Sequence, residues 1–313
     1  MERQVYINGE YFPESNAKIS IFDSAVMLGD TVTESTRTFR HQPFRLEDHI
    51  DRLFKSLKVC RIDCGLTAEE MVRITQQVVE RNLPLYAESQ DLWIVHNISR
   101  GEFPPSGDPS VRRSATVIIH TAPLDLTYWA PFYLRGCHAV TPPSRMMPAW
   151  ALDPKIKNRS RMAYTLAELE VKLVDPLAQG LLLDANGYLT ENKGGNFFLV
   201  SGGVLYTPRT VNALAGITRA TTLELAEQLG IPTRECDLQP YDVYTADEAF
   251  FTSTPYCLMP ATKFNGLPVG DGRVGPLTRR LLEAWSHLTG VDIVQQALDQ
   301  LDEATRAELL AQW

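Results

Sequence analysis

Two of the chain's three Asn-Gly pairs, one in each half, limit its folding more than any other feature. "QVYINGEYF" turns at Asn8-Gly9 and "LLLDANGYLTE" at Asn186-Gly187. In the first, alternating apolar residues run up to the pair and away from it. Asn-Gly accepts the positive φ that both central positions of a two-residue turn require, so each stretch is predicted to form an antiparallel hairpin. A chain of 313 residues with a hairpin in each half is too long for one small core and is expected to form two domains.

In the first half, "KISIFD", "QDLWIVHNIS" and "SATVIIHT" read as strands. "RLEDHIDRLFKSLKVC" places Leu46, Ile50, Leu53, Phe54 and Leu57 at helical spacing, and "TAEEMVRITQQVVERN" opens with a capping box from Thr67 to Glu70. Residues 1–122 are therefore expected to be a small mixed α/β domain. Residues 123–135, "PLDLTYWAPFYLR", have no clear period and hold two prolines, which predicts a linker. Residues 136–313 form the larger domain. It opens on the strand "GCHAVTP" and continues with the hairpin "FFLVSGGVLYTP" and the strand "EAFFTST". "TRATTLELAEQLG" is a helix with Thr218 as its cap and Gly230 past its end; "PLTRRLLEAWSHLTG" is another, with Pro276 in its first turn and Gly290 after it. The fold class is α+β, built from two α/β-type domains.

The formal net charge of -8 gives the chain no electrostatic reason to bind nucleic acid or an anionic membrane. No apolar run is long enough to span a bilayer, and the N-terminus lacks a signal-peptide core. Five scattered cysteines, Cys60, Cys64, Cys137, Cys236 and Cys257, have no metal-type spacing, so a cytoplasmic protein without a metal site is expected.

Four stretches carry possible chemistry. "LTENKGGNFFLV" breaks a strand over two glycines directly after Glu191, where main-chain donors become exposed. "GITR", residues 216–219, places a glycine before a helix start, which suits an anion, although from four residues alone an ordinary capped helix is the better reading. "FFTSTP" adds hydroxyls after a strand end, which also reads as a polar turn. "DPKIKNRSRMAY" concentrates basic residues before a helical run, and a lysine there, Lys157 or Lys155, could form a Schiff base. A fifth stretch, "GDGRVG", matches the dinucleotide pattern, but one helix and a polar tail follow it instead of a βαβ unit. It reads as a glycine-rich loop. An anion site, a lysine and a lone glutamate together suit pyridoxal 5'-phosphate, which has a phosphate, an aldehyde and a pyridine nitrogen.

The ordered series "HIDRL", "IKN", "LTENKGGNFFLV", "GVLYTP", "ALAGITRA", "ADEAFFTST" and "GDGRVGPLTRR" resembles the class IV, or fold-type IV, pyridoxal-phosphate aminotransferases. That family includes branched-chain and D-amino acid aminotransferases, (R)-selective amine transaminases and aminodeoxychorismate lyases. The resemblance implies the D-amino acid aminotransferase-like fold, with the cofactor between the two domains and a homodimer as the working unit. It implies Lys157 as the Schiff-base lysine and proton shuttle, and Glu191 as partner of the pyridine nitrogen. Arg52, Ile217, Thr218 and Thr254 would bind the phosphate, Leu214 would lie beneath the ring, and Asn196 would complete the cofactor site.

Strand alternation in "GDTVTESTRTF" puts Thr33, Ser35 and Arg37 on one face, which aligns with the family's substrate pocket. Arg37 matches the branched-chain enzymes, whereas Thr33 stands where they usually have an aromatic. Those enzymes also usually carry a tyrosine five residues after the lysine. Here Met162 stands there, which leaves Arg161 or Tyr164 as partner of the ring oxygen. "SRGEFPPSG" lacks the Arg-x-His pair of D-amino acid aminotransferases. The expected activity is ping-pong transamination from a branched-chain-like L-amino acid or an (R)-primary amine to a 2-keto acid. A lyase of the aminodeoxychorismate type, a D-amino acid aminotransferase and a non-catalytic binding protein remain as alternatives.

Overall fold

A computed structural model describes residues 2–108, 111 and 113–311. The chain divides into two compact units, Met1–Leu124 with Ile156–Ser160, and Asp125–Lys155 with Arg161–Trp313.

The first unit contains, in chain order, β1 (Gln4–Ile7), β2 (Glu10–Pro13), α1 (Ser24–Met27), β3 (Thr31–Phe39), β4 (Gln42–Pro43), α2 (Leu46–Cys60), α3 (Ala68–Asn82), β5 (Leu92–Ser99) and β6 (Thr116–Pro123). The strands form one antiparallel sheet in the order β2-β1-β6-β5-β3-β4. Asn8 (φ 49°) and Gly9 (φ 99°) make the turn between β1 and β2, both with the positive φ that an Asn-Gly hairpin needs. Leu46, Ile50, Leu53 and Leu57 of α2 and Met71, Ile74 and Val78 of α3 bury their apolar stripes against Val32, Ile94, Ile98 and Ile119 of the sheet. Thr67 and Glu70 form the reciprocal capping box at the start of α3.

Two features of this unit differ from the sequence reading. The stretch 18–23 is not a strand: Ile21 and Phe22 are exposed, and Asp23 instead caps α1 by accepting from Ala25 N at 2.8 Å. Pairing is confined to its end, where Asp23 bridges Glu102 and Phe22 O accepts from Phe103 N at 2.7 Å, so no ladder extends along the stretch. The second is the detour of Ile156–Ser160, which lies beside β3. Thr33 N donates to Lys157 O at 2.8 Å, Arg159 N donates to Thr31 O at 2.9 Å, and Val32 bridges Asn158 antiparallel.

The second unit contains α4 (Ala130–Arg135), β7 (Cys137–Val140), α5 (Met162–Lys172), β8 (Gln179–Gly180), β9 (Asn196–Ser201), β10 (Val204–Pro208), α6 (Ile217–Gln228), β11 (Thr233–Cys236), α7 (Pro240–Tyr244), β12 (Glu248–Ser253), β13 (Cys257–Phe264), β14 (Leu267–Pro268), α8 (Pro276–Thr289), α9 (Ile293–Leu298) and α10 (Glu303–Ala311). Its sheet runs β11-β10-β9-β12-β13-β7-β8, with β14 paired to β13. Phe197 and Phe198 on β9 and Phe250 and Phe251 on β12 are fully buried neighbours at its centre. The Asn186-Gly187 turn is closed by the Leu183–Leu189 bridge, with Asp184 N donating to Tyr188 O at 2.8 Å and Leu182 N to Glu191 O at 3.1 Å.

The stretch 123–135 carries α4, whose Ala130, Phe132, Tyr133 and Leu134 are all buried. A six-residue helix in which only Arg135 is exposed is too short and too buried to show an amphipathic period. The "GDGRVG" loop ends at Gly275, the N-cap of α8, and the Glu248 carboxylate fills that helix end. Leu277 N and Thr278 N donate to its oxygens at 2.9 and 2.7 Å. An acidic side chain already sits where a pyrophosphate would need to be. Among the described residues no helix is long and apolar enough to cross a membrane, and no group of three or more His, Cys, Asp or Glu could hold a metal ion.

Candidate active site

In the first unit the centre of the site is Glu34, on β3 and completely buried. Arg52 on α2 donates to both of its oxygens, Nε to Oε2 at 2.9 Å and Nη2 to Oε1 at 2.7 Å. His49, one turn earlier on α2, places Nδ1 3.0 Å from Oε1, and Ser35 N donates to the same oxygen at 2.8 Å. Burial alone would raise the Glu34 pKa, but the charges and hydrogen bonds of Arg52 and His49 outweigh it and hold the carboxyl well below its usual range. Burial pushes the His49 imidazole down, so at neutral pH this is an Arg–Glu pair with a neutral histidine beside it. Glu34 and His49 carried no signal in the linear reading. They could have been found from the i, i+3 spacing of His49 and Arg52 on one helix face opposite a lone acid in a strand.

Lys157 enters this neighbourhood through its backbone. Besides the carbonyl bond to Thr33, its N–H donates to Ser56 Oγ of α2 at 3.4 Å, one turn beyond Arg52. The residue is half-buried. Lys155, the competing lysine, is exposed and pairs with Asp153 at 3.3 Å. Of the expected pocket residues, Thr33 donates to His96 O at 2.8 Å and lies 3.1 Å from Asn97 Oδ1. Arg37 is only 2% exposed: its Nη2 is 3.6 Å from Asp91, its Nε donates to Thr38 O, and its guanidinium lies 3.9 Å over the Phe39 ring.

In the second unit Glu191 is buried at the head of the glycine break, where it bridges Asn196. Its Oε2 accepts from Leu214 N at 2.8 Å and from Asn196 Nδ2 at 3.3 Å, and its Oε1 accepts from the Tyr164 hydroxyl at 2.9 Å. Asn196 Nδ2 also donates to Leu214 O at 2.8 Å, so Glu191 and Asn196 together clamp the loop that leads into α6. That loop ends at Gly216, where a Cβ would lie 2.1 Å from Asn196 Oδ1; only glycine fits. Gly216, not Thr218, is the N-cap of α6, and no side chain caps that end. Thr218 sits inside the first turn, buried, and its carbonyl accepts from the Thr222 hydroxyl at 2.8 Å. Helix ends without a side-chain cap present backbone N–H groups and positive dipole to an anion. Thr254 is half-buried in the turn between β12 and β13.

The family profile "Amino-transferase class IV" matches residues 31–264. The chain is 32% identical over 286 residues to a putative branched-chain-amino-acid aminotransferase of Methanocaldococcus jannaschii, covering 91% of this chain and 96% of that protein. Its fold is similar to the branched-chain amino acid aminotransferase of Escherichia coli, with TM-score 0.84, 30% identity and coverage of 92% and 95% of the two chains. It is also similar to the T.th. branched-chain amino acid aminotransferase complexed with N-(5'-phosphopyridoxyl)-L-glutamate, with TM-score 0.83, 28% identity and coverage of 93% and 95%. The chain belongs to the class IV aminotransferases, and it is a branched-chain-aminotransferase-like transferase of fold type IV.

Proposed function

We propose that the chain is a pyridoxal 5'-phosphate transaminase. It moves an amino group from a branched-chain-like L-amino acid, or an (R)-primary amine, to a 2-keto acid. The observation that carries this reading is the anchoring of Lys157, whose backbone is tied on one side to β3 and on the other to α2, beside the Glu34–Arg52–His49 cluster. Lys155, by contrast, is spent on an exposed ion pair.

The residues present fit the cofactor. An aldehyde needs a primary amine, and Lys157 supplies it. A phosphate needs a cation or backbone donors: the first unit has Arg52 for this, and the second has Ile217 and Thr218 at the uncapped start of α6 and the Thr254 hydroxyl. A pyridine nitrogen needs a fixed carboxylate, and Glu191 is held on both oxygens. Leu214, on the loop that Asn196 clamps, would give the ring an apolar neighbour. Bound there, the cofactor supplies a carbonyl for amine exchange and an electron-withdrawing ring that stabilises negative charge at the substrate Cα.

Lys157 would hold the cofactor through its Nζ and would carry the proton that leaves the substrate Cα. Glu191 would hold a proton on the pyridine nitrogen. Glu34 fixes the orientation of the Arg52 fork. Thr33 and Ser35 shape the substrate side, where a small threonine leaves room for larger groups. The L-glutamate adduct of the T.th. relative supports 2-oxoglutarate as acceptor, with pyruvate as the other keto acid to try. A homodimer is the expected working unit.

The test compares Lys157→Ala with Lys155→Ala. Lys157→Ala should lose both transamination and the visible absorption of bound cofactor, while Lys155→Ala keeps both; the reverse result would move the amine to Lys155. A donor series of L-leucine, D-alanine and both enantiomers of 1-phenylethylamine tests specificity, and D-alanine as best donor would overturn the substrate reading.

A further inference from the structure

Met162, five residues after Lys157, stands at the first turn of α5 with its side chain 78% exposed. Tyr164, half-buried on the same turn, points its hydroxyl elsewhere: it donates to Glu191 Oε1 at 2.9 Å. We propose that Tyr164 is a positioning residue for Glu191, fixing the carboxylate that faces the pyridine nitrogen, and that it is not the partner of the cofactor's ring oxygen. This rests on the role of Glu191 proposed above.

The geometry carries the argument. Leu214 N and Asn196 Nδ2 both grip Oε2, from the loop before α6 and from β9. Tyr164 holds the other oxygen, from a third element. Donors on two sides set both the direction of the carboxylate and its negative charge. The tyrosine is built to stay a donor: burial and the neighbouring Glu191 charge push its phenol well above the ordinary value. Its ring is steadied from the other side by the Arg161 guanidinium, 4.6 Å from the ring centroid. So Arg161 and Tyr164, the two candidates for the ring oxygen, form instead a short relay that ends on Glu191.

The test uses the holoenzyme loaded with cofactor labelled with 15N at the pyridine nitrogen. At one alkaline pH, Tyr164→Phe should move the 15N resonance toward the deprotonated position, part of the way to that of Glu191→Gln. It should lower kcat about tenfold, the low end for losing a hydrogen bond to a charged group, with KM for the keto acid within about twofold. In the Glu191→Gln background the Tyr164→Phe change should have little further effect on kcat, because the tyrosine acts through the carboxylate. An unmoved 15N resonance in Tyr164→Phe with a displaced visible band would overturn the proposal and assign Tyr164 to the ring oxygen. Additive losses in the double variant would also overturn it, leaving only a structural role. If Glu191→Gln itself leaves the resonance in place, the reading of Glu191 fails, and that outcome is separate from the first two. Circular dichroism and thermal melting of each variant confirm that folded protein is compared.

Discussion

Arg52, proposed above as a phosphate ligand, also serves folding. Its guanidinium is bidentate to Glu34, which is fully buried. Arg52→Ala therefore does more than weaken phosphate binding: it leaves an ionised carboxylate without its main partner, a change that typically costs about 3–5 kcal/mol. Arg52→Lys keeps the charge but loses the fork, so it should stay closer to wild type in urea unfolding while leaking cofactor in equilibrium dialysis, with activity restored by excess cofactor. If Arg52→Lys binds cofactor as tightly as wild type, the phosphate is held elsewhere. Arg37 belongs to the same class. With Asp91 only 4% exposed beside it, Arg37→Ala should first lower the unfolding midpoint. A rise in KM for a keto acid in the folded fraction, with none for 1-phenylethylamine, would show that the residue also reads a carboxylate.

At the scale of the element, two helix N-termini begin alike with glycine and end up with opposite roles. The start of α8 is closed by the Glu248 carboxylate, and a Cβ at Gly275 would lie 2.1 Å from Glu248 Cδ. Glu248→Ala should cost about 1–2 kcal/mol of stability as a lost cap, read from denaturant unfolding, and leave kcat unchanged. The start of α6 has no side-chain cap, and what presses on it is Asn196. Gly216→Ala drives a methyl into Asn196 Oδ1 and so disturbs the clamp on Glu191 and Leu214. An overpacking of this kind costs about 1–3 kcal/mol, and here it should appear as weaker cofactor binding as well as a lower melting temperature. A Gly216→Ala enzyme with unchanged cofactor affinity would mean that the clamp does not organise the site.

For the whole molecule, the buried histidines set the response to acid. His96 is fully buried, with Nε2 against the Thr75 hydroxyl at 2.8 Å, and burial pushes its pKa down to about 4; His49 is shifted the same way. The unfolded chain protonates these rings from about pH 6.5 downward while the folded one resists. Stability is therefore full above that pH and falls as the pH drops toward 4, by about 3 kcal/mol for His96 alone. Urea midpoints at pH 7 and pH 5 should show the loss, and His96→Gln should flatten it. The first unit also exposes Ile21, Phe22, Val26, Met27 and Leu28, a patch that suits the expected homodimer. Phe22→Glu should shift the sedimentation coefficient toward a monomer, and a wild-type chain that sediments as a monomer would refute the dimer. The Asn-Gly turn of the first sheet, the capping box of α3, the amphipathic α2 and α8 and the glycine break after Glu191 were legible in the chain itself, because each is fixed by neighbours within a few residues. So was the ordered series of motifs that marks the class IV family. Other features were decided only by tertiary contact: the return of Ile156–Ser160 to the edge of β3, the burial of most of α4, the absence of a strand over 18–22, and the meeting of Glu34, His49 and Arg52. The hydroxyl of Tyr164 on Glu191 belongs with them, since its partners lie 27 residues apart and only packing chooses between one acceptor and another.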